Sequence, residues 1–149
     1  MISRYLNHFR QSPGSVVFEP AVDANLTRID AAHTSTKFYA ITGENRKFIK
    51  LKERLIFNGI EFYGSIPHYR EKKNYTFPNL ITVNEYYLNY DYFIRKLVIG
   101  RISENILLYD GAENVYSVTD RINLRPVIEA ENLSAFLKIF YDHEVASPR

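Results

Sequence analysis

A chain of 149 residues, 46% apolar and 24% charged, has the size and balance of a single globular domain spanning 1–149. It holds no cysteine, which excludes disulfides, thiolate catalysis and Cys-ligated zinc. A formal net charge of +2 excludes a strongly polyanionic or polycationic character for the chain as a whole.

Met1 to Phe9 places Ile2, Tyr5, Leu6 and Phe9 at helical spacing, and Ser12-Pro13-Gly14 stops the pattern. The start MISRYLNHFRQSPG has no continuous apolar core, so no signal peptide is expected. No run approaches the roughly 18 apolar residues that span a bilayer. A soluble, cytoplasmic protein is the expectation. Val16-Val17-Phe18 reads as a strand or an extended connector. Val22, Leu26 and Ile29 then repeat at four and three, which predicts a second helix over Ala21 to Ala32.

Residues 37–73 carry nine Lys or Arg against four Asp or Glu. Phe48, Leu51 and Leu55 recur at three and four, so Glu44 to Ile56 is expected as a helix with a basic outer face. Asn58-Gly59 is a strong turn signal, because both residues tolerate positive φ. Glu61 to Ile66 reads as a strand and His68 to Thr76 as a polar loop. Leu80, Val83, Tyr86, Tyr87 and Tyr90 predict a helix over Leu80 to Tyr90.

A meander follows. Lys96 to Ile102 is a strand, Ser103-Glu104-Asn105 a turn, and Ile106 to Asp110 a strand. Gly111 to Asn114 is a turn, and Val115 to Thr119 a strand. Leu124 to Ile128 adds one more, which Pro126 confines to an edge. Asn132 opens a closing helix with Leu133, Phe136, Leu137, Phe140 and Tyr141 on its apolar stripe. Val145 to Arg149 is expected to fray. The order predicts an α+β fold: a mostly antiparallel twisted sheet with N-terminal helices, an inserted short helix and a C-terminal helix packed on it.

The same pass finds little chemistry. The six glycines are too scattered to line a pyrophosphate. No two of His8, His33, His68 and His143 stand at i, i+4, and no nucleophile elbow is present. Asp110/Glu113 and Glu129/Glu131 offer paired carboxylates, but turn and helix-cap duty accounts for both. No enzyme activity, metal or cofactor is expected.

Two surfaces suit binding. The basic segment with Phe38, Tyr39, Phe48, Tyr69 and Tyr75 has the composition of a nucleic-acid surface, against the plainer reading of a solvated basic helix. Tyr86, Tyr87, Tyr90 and Tyr92, with Glu85 and Asp91, form a tyrosine-rich acidic cluster of the kind enriched at protein interfaces.

LIFNGIEFYGSI (Leu55 to Ile66), NLITVNEYYLN (Asn79 to Asn89), KLVIGRISENILLYDGAENVYSV (Lys96 to Val118) and NLSAFLKIF (Asn132 to Phe140) together resemble the SUKH superfamily of bacterial immunity proteins. The resemblance spans about Lys50 to Tyr141. It implies a non-catalytic protein that neutralises a cognate toxin in the producing cell's cytoplasm by occluding its active site or substrate groove. The toxin would be delivered by secretion or cell contact, as in type VI systems; such toxins are often nucleases or deaminases, and a nuclease type is expected here. The family transfers no catalytic or contact residue.

Nuclease grooves are basic, so acids are the expected contacts. Glu85, Asp91, Glu104, Asp110 and Glu113 are the candidates, with Tyr87, Tyr90 and Tyr92 as anchors. The acids are expected to cluster at one end of the meander and the inserted helix, and reversing Glu104 and Glu113 to Lys would slow association with a basic toxin. The alternative partner is nucleic acid, held by the basic segment 46–73. A monomer or weak homodimer is expected.

Overall fold

The computed structural model describes residues 4–5, 16–17, 55–57, 59–64, 68–70, 75–77 and 79–146. Among them, seven antiparallel strands form one sheet. They are β1 (Val16–Val17), β2 (Leu55–Phe57), β3 (Ile60–Phe62), β6 (Lys96–Ile102), β7 (Asn105–Asp110), β8 (Val115–Asp120) and β9 (Pro126–Ala130). Their spatial order follows the chain, so each strand pairs with the one before it. A separate hairpin, β4 (His68–Arg70) with β5 (Tyr75–Phe77), and helix α1 (Leu80–Tyr87) are inserted between β3 and β6. Helix α2 (Leu133–Ala146) closes the chain. The architecture is α+β, with the antiparallel meander, the inserted helix and the C-terminal helix that the sequence predicts.

Buried runs over Leu97–Gly100, Ile106–Tyr109 and Tyr116–Thr119 mark β6 to β8 as strands covered on both faces. That is why they read as near-continuous apolar runs rather than as strict alternation. Register sets Gly100, Leu107 and Val118 side by side on one face, and Arg101, Ile106 and Thr119 on the other.

Helix α2 covers the first face. Asn132 caps it by accepting from Ala135 N at 2.8 Å, and Leu133, Phe136, Leu137 and Phe140 are buried. Phe136 stacks on Tyr116 at 5.9 Å, and Phe140 meets Phe62 edge-on at 6.3 Å. Each such side chain contributes about 2 kcal/mol by leaving water. Arg4 and Tyr5 are helical, and Tyr5 is buried against Tyr141 at 5.3 Å. The expected first helix otherwise lies outside the described residues, as does the whole of the second (Ala21 to Ala32).

Helix α1 lies at the second face. The Asn79 side chain caps it, accepting from Thr82 N at 2.8 Å. Leu80 N donates to Gly64 O at 2.8 Å, which ties the helix start to the end of β3. Asn84, only 2% exposed, donates to Leu80 O and Val98 O and accepts from Val98 N, each within 2.8 Å. β3 runs beside β6 only as far as Phe62 opposite Gly100, followed by Tyr63 N donating to Ile99 O. The Asn84 amide then serves Val98 as a neighbouring strand would, supplying one donor and one acceptor.

Several expectations need correction. Leu55 and Ile56 are in β2, not at the end of a helix; residues 44–54 lie outside the described residues. Pairing with β3 decides this, because Leu55 opposes Phe62 and Ile56 opposes Glu61. β3 starts at Ile60 and ends at Phe62, short of the predicted Ile66; Gly64 makes only an isolated parallel bridge to Asn79. His68 to Thr76 is not a plain loop, since its two ends pair as the β4–β5 hairpin. α1 stops at Tyr87 rather than Tyr90, where Asn89 donates its side-chain amide to Tyr86 O at 2.9 Å. The last strand is Pro126–Ala130, on the edge as Pro126 requires. Val145 and Ala146 remain helical, and 147–149 lie outside the described residues.

Gly59 has φ +82°, as the Asn-Gly signal anticipates. Among the described residues no helix is long and apolar enough to cross a membrane.

Candidate functional site: an aromatic cleft at one end of the meander

The chain leaves α1 through Tyr90 into a single 3-10 turn, Asp91–Phe93, that returns it to β6. This carries four aromatic rings across the second face of the sheet. Tyr87 packs on Phe93 at 4.5 Å, and Tyr86 meets Tyr87 edge-on at 5.2 Å and Tyr90 at 5.9 Å. The Tyr86 and Tyr90 hydroxyls are 3.5 Å apart. With Ile106, Arg121 and Leu124 these rings wall an open cleft of about 410 Å³. Its floor is apolar, formed by buried Phe93 and Ile106. Two of its tyrosines stand in water, Tyr86 57% and Tyr90 50% exposed, while Tyr87 is partly buried.

The cleft lies at the end where β7 starts and β8 finishes, since Asn105 opposes Asp120 there. The β8–β9 turn forms one wall. Asp120 Oδ1 accepts from Ile122 N at 2.8 Å and Asn123 N at 3.1 Å, a side-chain turn that sets Arg121 and Ile122 outward. Leu124 completes the turn with φ +58°. Ile122, between the lining residues Arg121 and Leu124 in the chain, is 83% exposed.

Of the residues nominated from sequence, Tyr87 and Tyr90 line this cleft. Glu85 and Asp91 are exposed on α1 and on the 3-10 turn. Tyr92 sits apart, half-buried, with Lys96 Nζ 4.4 Å over its ring and Phe93 edge-on at 5.1 Å. Lys96 also reaches Asp110 at 3.9 Å, so Tyr92 and Asp110 share one cation.

The acids do not gather at one end, and this corrects the sequence reading. Glu104 is in the β6–β7 turn, whereas Asp110 and Glu113 are at the β7–β8 turn. The six residues of β7 separate the two turns by roughly 20 Å. Asp110 is further committed to its own turn, accepting from Ala112 N at 2.9 Å and Glu113 N at 3.3 Å. Among the described residues no three His, Asp or Glu side chains gather as a metal site.

Sequence reasoning missed Arg121, Leu124, Phe93 and Ile106 as members of the site. One signal was available: Asp120-Arg121-Ile122-Asn123 sets a large apolar residue in an otherwise polar turn.

Burial raises the Tyr87 hydroxyl above the ordinary phenol value of 10.0, with Arg121 pulling the other way. Tyr92 is also raised, by burial first, against a lowering hydrogen bond from Thr119. Tyr90 is raised through its hydrogen bond to Tyr86. For a group raised in the folded state, the neutral form is the one the fold favours. That stabilisation is complete below pH 10 and is lost as the pH climbs through the raised values. Tyrosinate absorbance should therefore develop later in the folded protein than in urea. Urea midpoints should be level near neutrality and fall above pH 10.

No family model matches the chain, and no curated protein matches it either.

Proposed function

We propose that this chain is a non-catalytic immunity protein. It binds a cognate, nuclease-type toxin in the cytoplasm and occludes its active site or substrate groove, as a monomer or weak homodimer. The observation that carries the reading is the open tyrosine cleft. Tyrosine and arginine are the residue types that dominate binding energy at protein interfaces, where a rigid ring supplies area and its hydroxyl supplies a hydrogen bond. Tyr86, Tyr90, Arg121 and Ile122 put that composition into water at one end of the sheet. The resemblance of the scaffold segments to the SUKH superfamily supplies the class of partner.

The test is suppression of toxicity. The tagged chain is used to recover a stoichiometric partner from its native cells, and the partner is then expressed alone and with the chain. Rescue of growth by co-expression supports the reading. A partner whose expression harms no cell, or whose lethality the chain leaves unchanged, removes it. Tyr90→Ala should weaken the complex by about 2 kcal/mol, roughly 30-fold in Kd by calorimetry, with the fold intact because half of the side chain is already in water.

Titration against DNA and RNA at two salt concentrations separates the nucleic-acid alternative. Use of the basic segment 46–73 predicts a steep loss of affinity with salt. A toxin-binding protein predicts negligible binding at either concentration.

A further inference from the structure

The cleft holds a cation that the described fold does not use. Arg121 has no ion-pair partner among the described residues. Arg101, on the same face of β6 as Ile106 on β7, is engaged with Glu61 at 3.5 Å. The carboxylate beside Arg121 in sequence, Asp120, spends Oδ1 on two backbone N–H groups. Glu104, in the neighbouring turn, makes no ion pair with it. Arg121 thus sets a guanidinium, unpaired among the described residues, on the wall of an apolar, ring-lined cleft.

We propose that the cleft receives an aromatic or branched aliphatic side chain of a protein partner that carries a carboxylate next to it, and that Arg121 pairs with that carboxylate. This rests on reading the chain as a partner-binding protein, and it names the chemistry of the partner. The apolar floor of Phe93 and Ile106 suits the anchor. Tyr86 and Tyr90 offer ring faces and hydroxyls along its flank, and Arg121 answers the charge. A small molecule filling 410 Å³ would leave Ile122, next to Arg121 in the chain, in water; a protein surface would cover it. The contact is thus acidic on the partner's side, whereas the acids nominated from sequence anticipate a basic one.

Short peptides test this without the natural partner. The probes are acetyl-Gly-Phe-Asp-Gly-amide, its Asp→Lys analogue and its Phe→Ala analogue, titrated into the isotope-labelled full chain and followed by NMR. The Phe-Asp peptide should shift the backbone signals of Tyr86, Tyr90, Arg121 and Leu124 saturably, and bind about tenfold more tightly than the Lys analogue. The Ala analogue should bind more weakly than its parent. Arg121→Gln should abolish the preference for Asp over Lys, while Tyr90→Ala should weaken both peptides alike. Both side chains are exposed, and the spectrum itself reports whether each variant is folded.

Equal affinity for the Asp and Lys peptides overturns the proposal. So does a preference that survives Arg121→Gln, or an absence of shifts at the cleft up to the solubility of the peptide. The outcome is separable from the toxicity test. Charge preference without growth rescue removes the immunity reading and keeps the site; rescue without charge preference does the reverse.

Discussion

Replacing Asn84 by alanine is expected to lower the free energy of unfolding by about 4 kcal/mol, the largest loss anticipated for any substitution outside the apolar core. The reason is the position of Val98. Its N–H and C=O face the place where β3 has already left β6, and both are satisfied by the Asn84 side chain at 2.7 and 2.8 Å. Alanine removes both partners at once and leaves two buried backbone groups unmet, each costing roughly 1–3 kcal/mol. Asn84→Leu should do no better, because added apolar volume returns neither hydrogen bond. Asn84→Asp keeps the acceptor for Val98 N but, when ionised, sets a charge against the carbonyl oxygens of Val98 and Leu80. Only its protonated form can donate to them. The deficit of the Asp variant relative to wild type should therefore shrink as the pH falls into the carboxyl range, whereas that of the Ala variant should not. Urea unfolding at two pH values measures all three. A loss below about 1 kcal/mol for Asn84→Ala would mean that water or a backbone shift replaces the amide.

Gly100→Ala should cost about 3 kcal/mol, at the upper end for overpacking. A Cβ at this position would lie 2.2 Å from the carbonyl oxygen of Glu61 and 3.2 Å from Leu107 Cδ1. The first neighbour is backbone in the middle of the β3–β6 pairing, so no rotamer change can relieve it. β3 has to move, and with it the packing of Phe62 against Phe140. Gly59→Ala is the informative contrast. Nothing lies within 4 Å of its added Cβ, so only the positive φ is penalised, by about 1 kcal/mol. Denaturant midpoints for the two variants should separate clearly. A lower denaturant slope in Gly100→Ala would further show β3 released from the sheet.

Much of the scaffold was legible because its signals are local. β6, β7 and β8 were placed within a residue of their observed bounds, since apolar runs separated by Gly, Asn and Glu admit few alternatives. Asn132 was legible as a helix start because a short polar side chain before a periodic apolar stripe serves as an N-cap. Pro126 marked an edge because it has no N–H to give. Leu55 and Ile56 were misread for a reason of the same kind. Phe48, Leu51 and Leu55 repeat with helical spacing, but partners at Phe62 and Glu61 override that periodicity. Glu104 and Glu113 were misplaced against information already present: successive turns of a meander fall at alternate ends of its strands.

The site was legible only in half. Tyr87 and Tyr90 drew notice by composition, because repeated tyrosines near acids are uncommon in a plain solvated face. Arg121 did not, since an arginine in a turn reads as solvated until something brings rings beside it.

By itself, then, the sequence determined the β6–β8 meander with its turns, the helix caps and the edge place of the Pro126 strand, all of which rest on residues within a few positions of one another. Tertiary structure alone decided three things. It decided that Asn84 stands in for a strand beside Val98. It decided that Gly100 must lack a side chain because the Glu61 backbone passes over it. It decided that Tyr86, Tyr90 and Arg121, some thirty residues apart, meet in one cleft. Each depends on where a distant segment comes to lie. That is set by the joint burial of both sheet faces, under α1 and α2, and no local pattern encodes it.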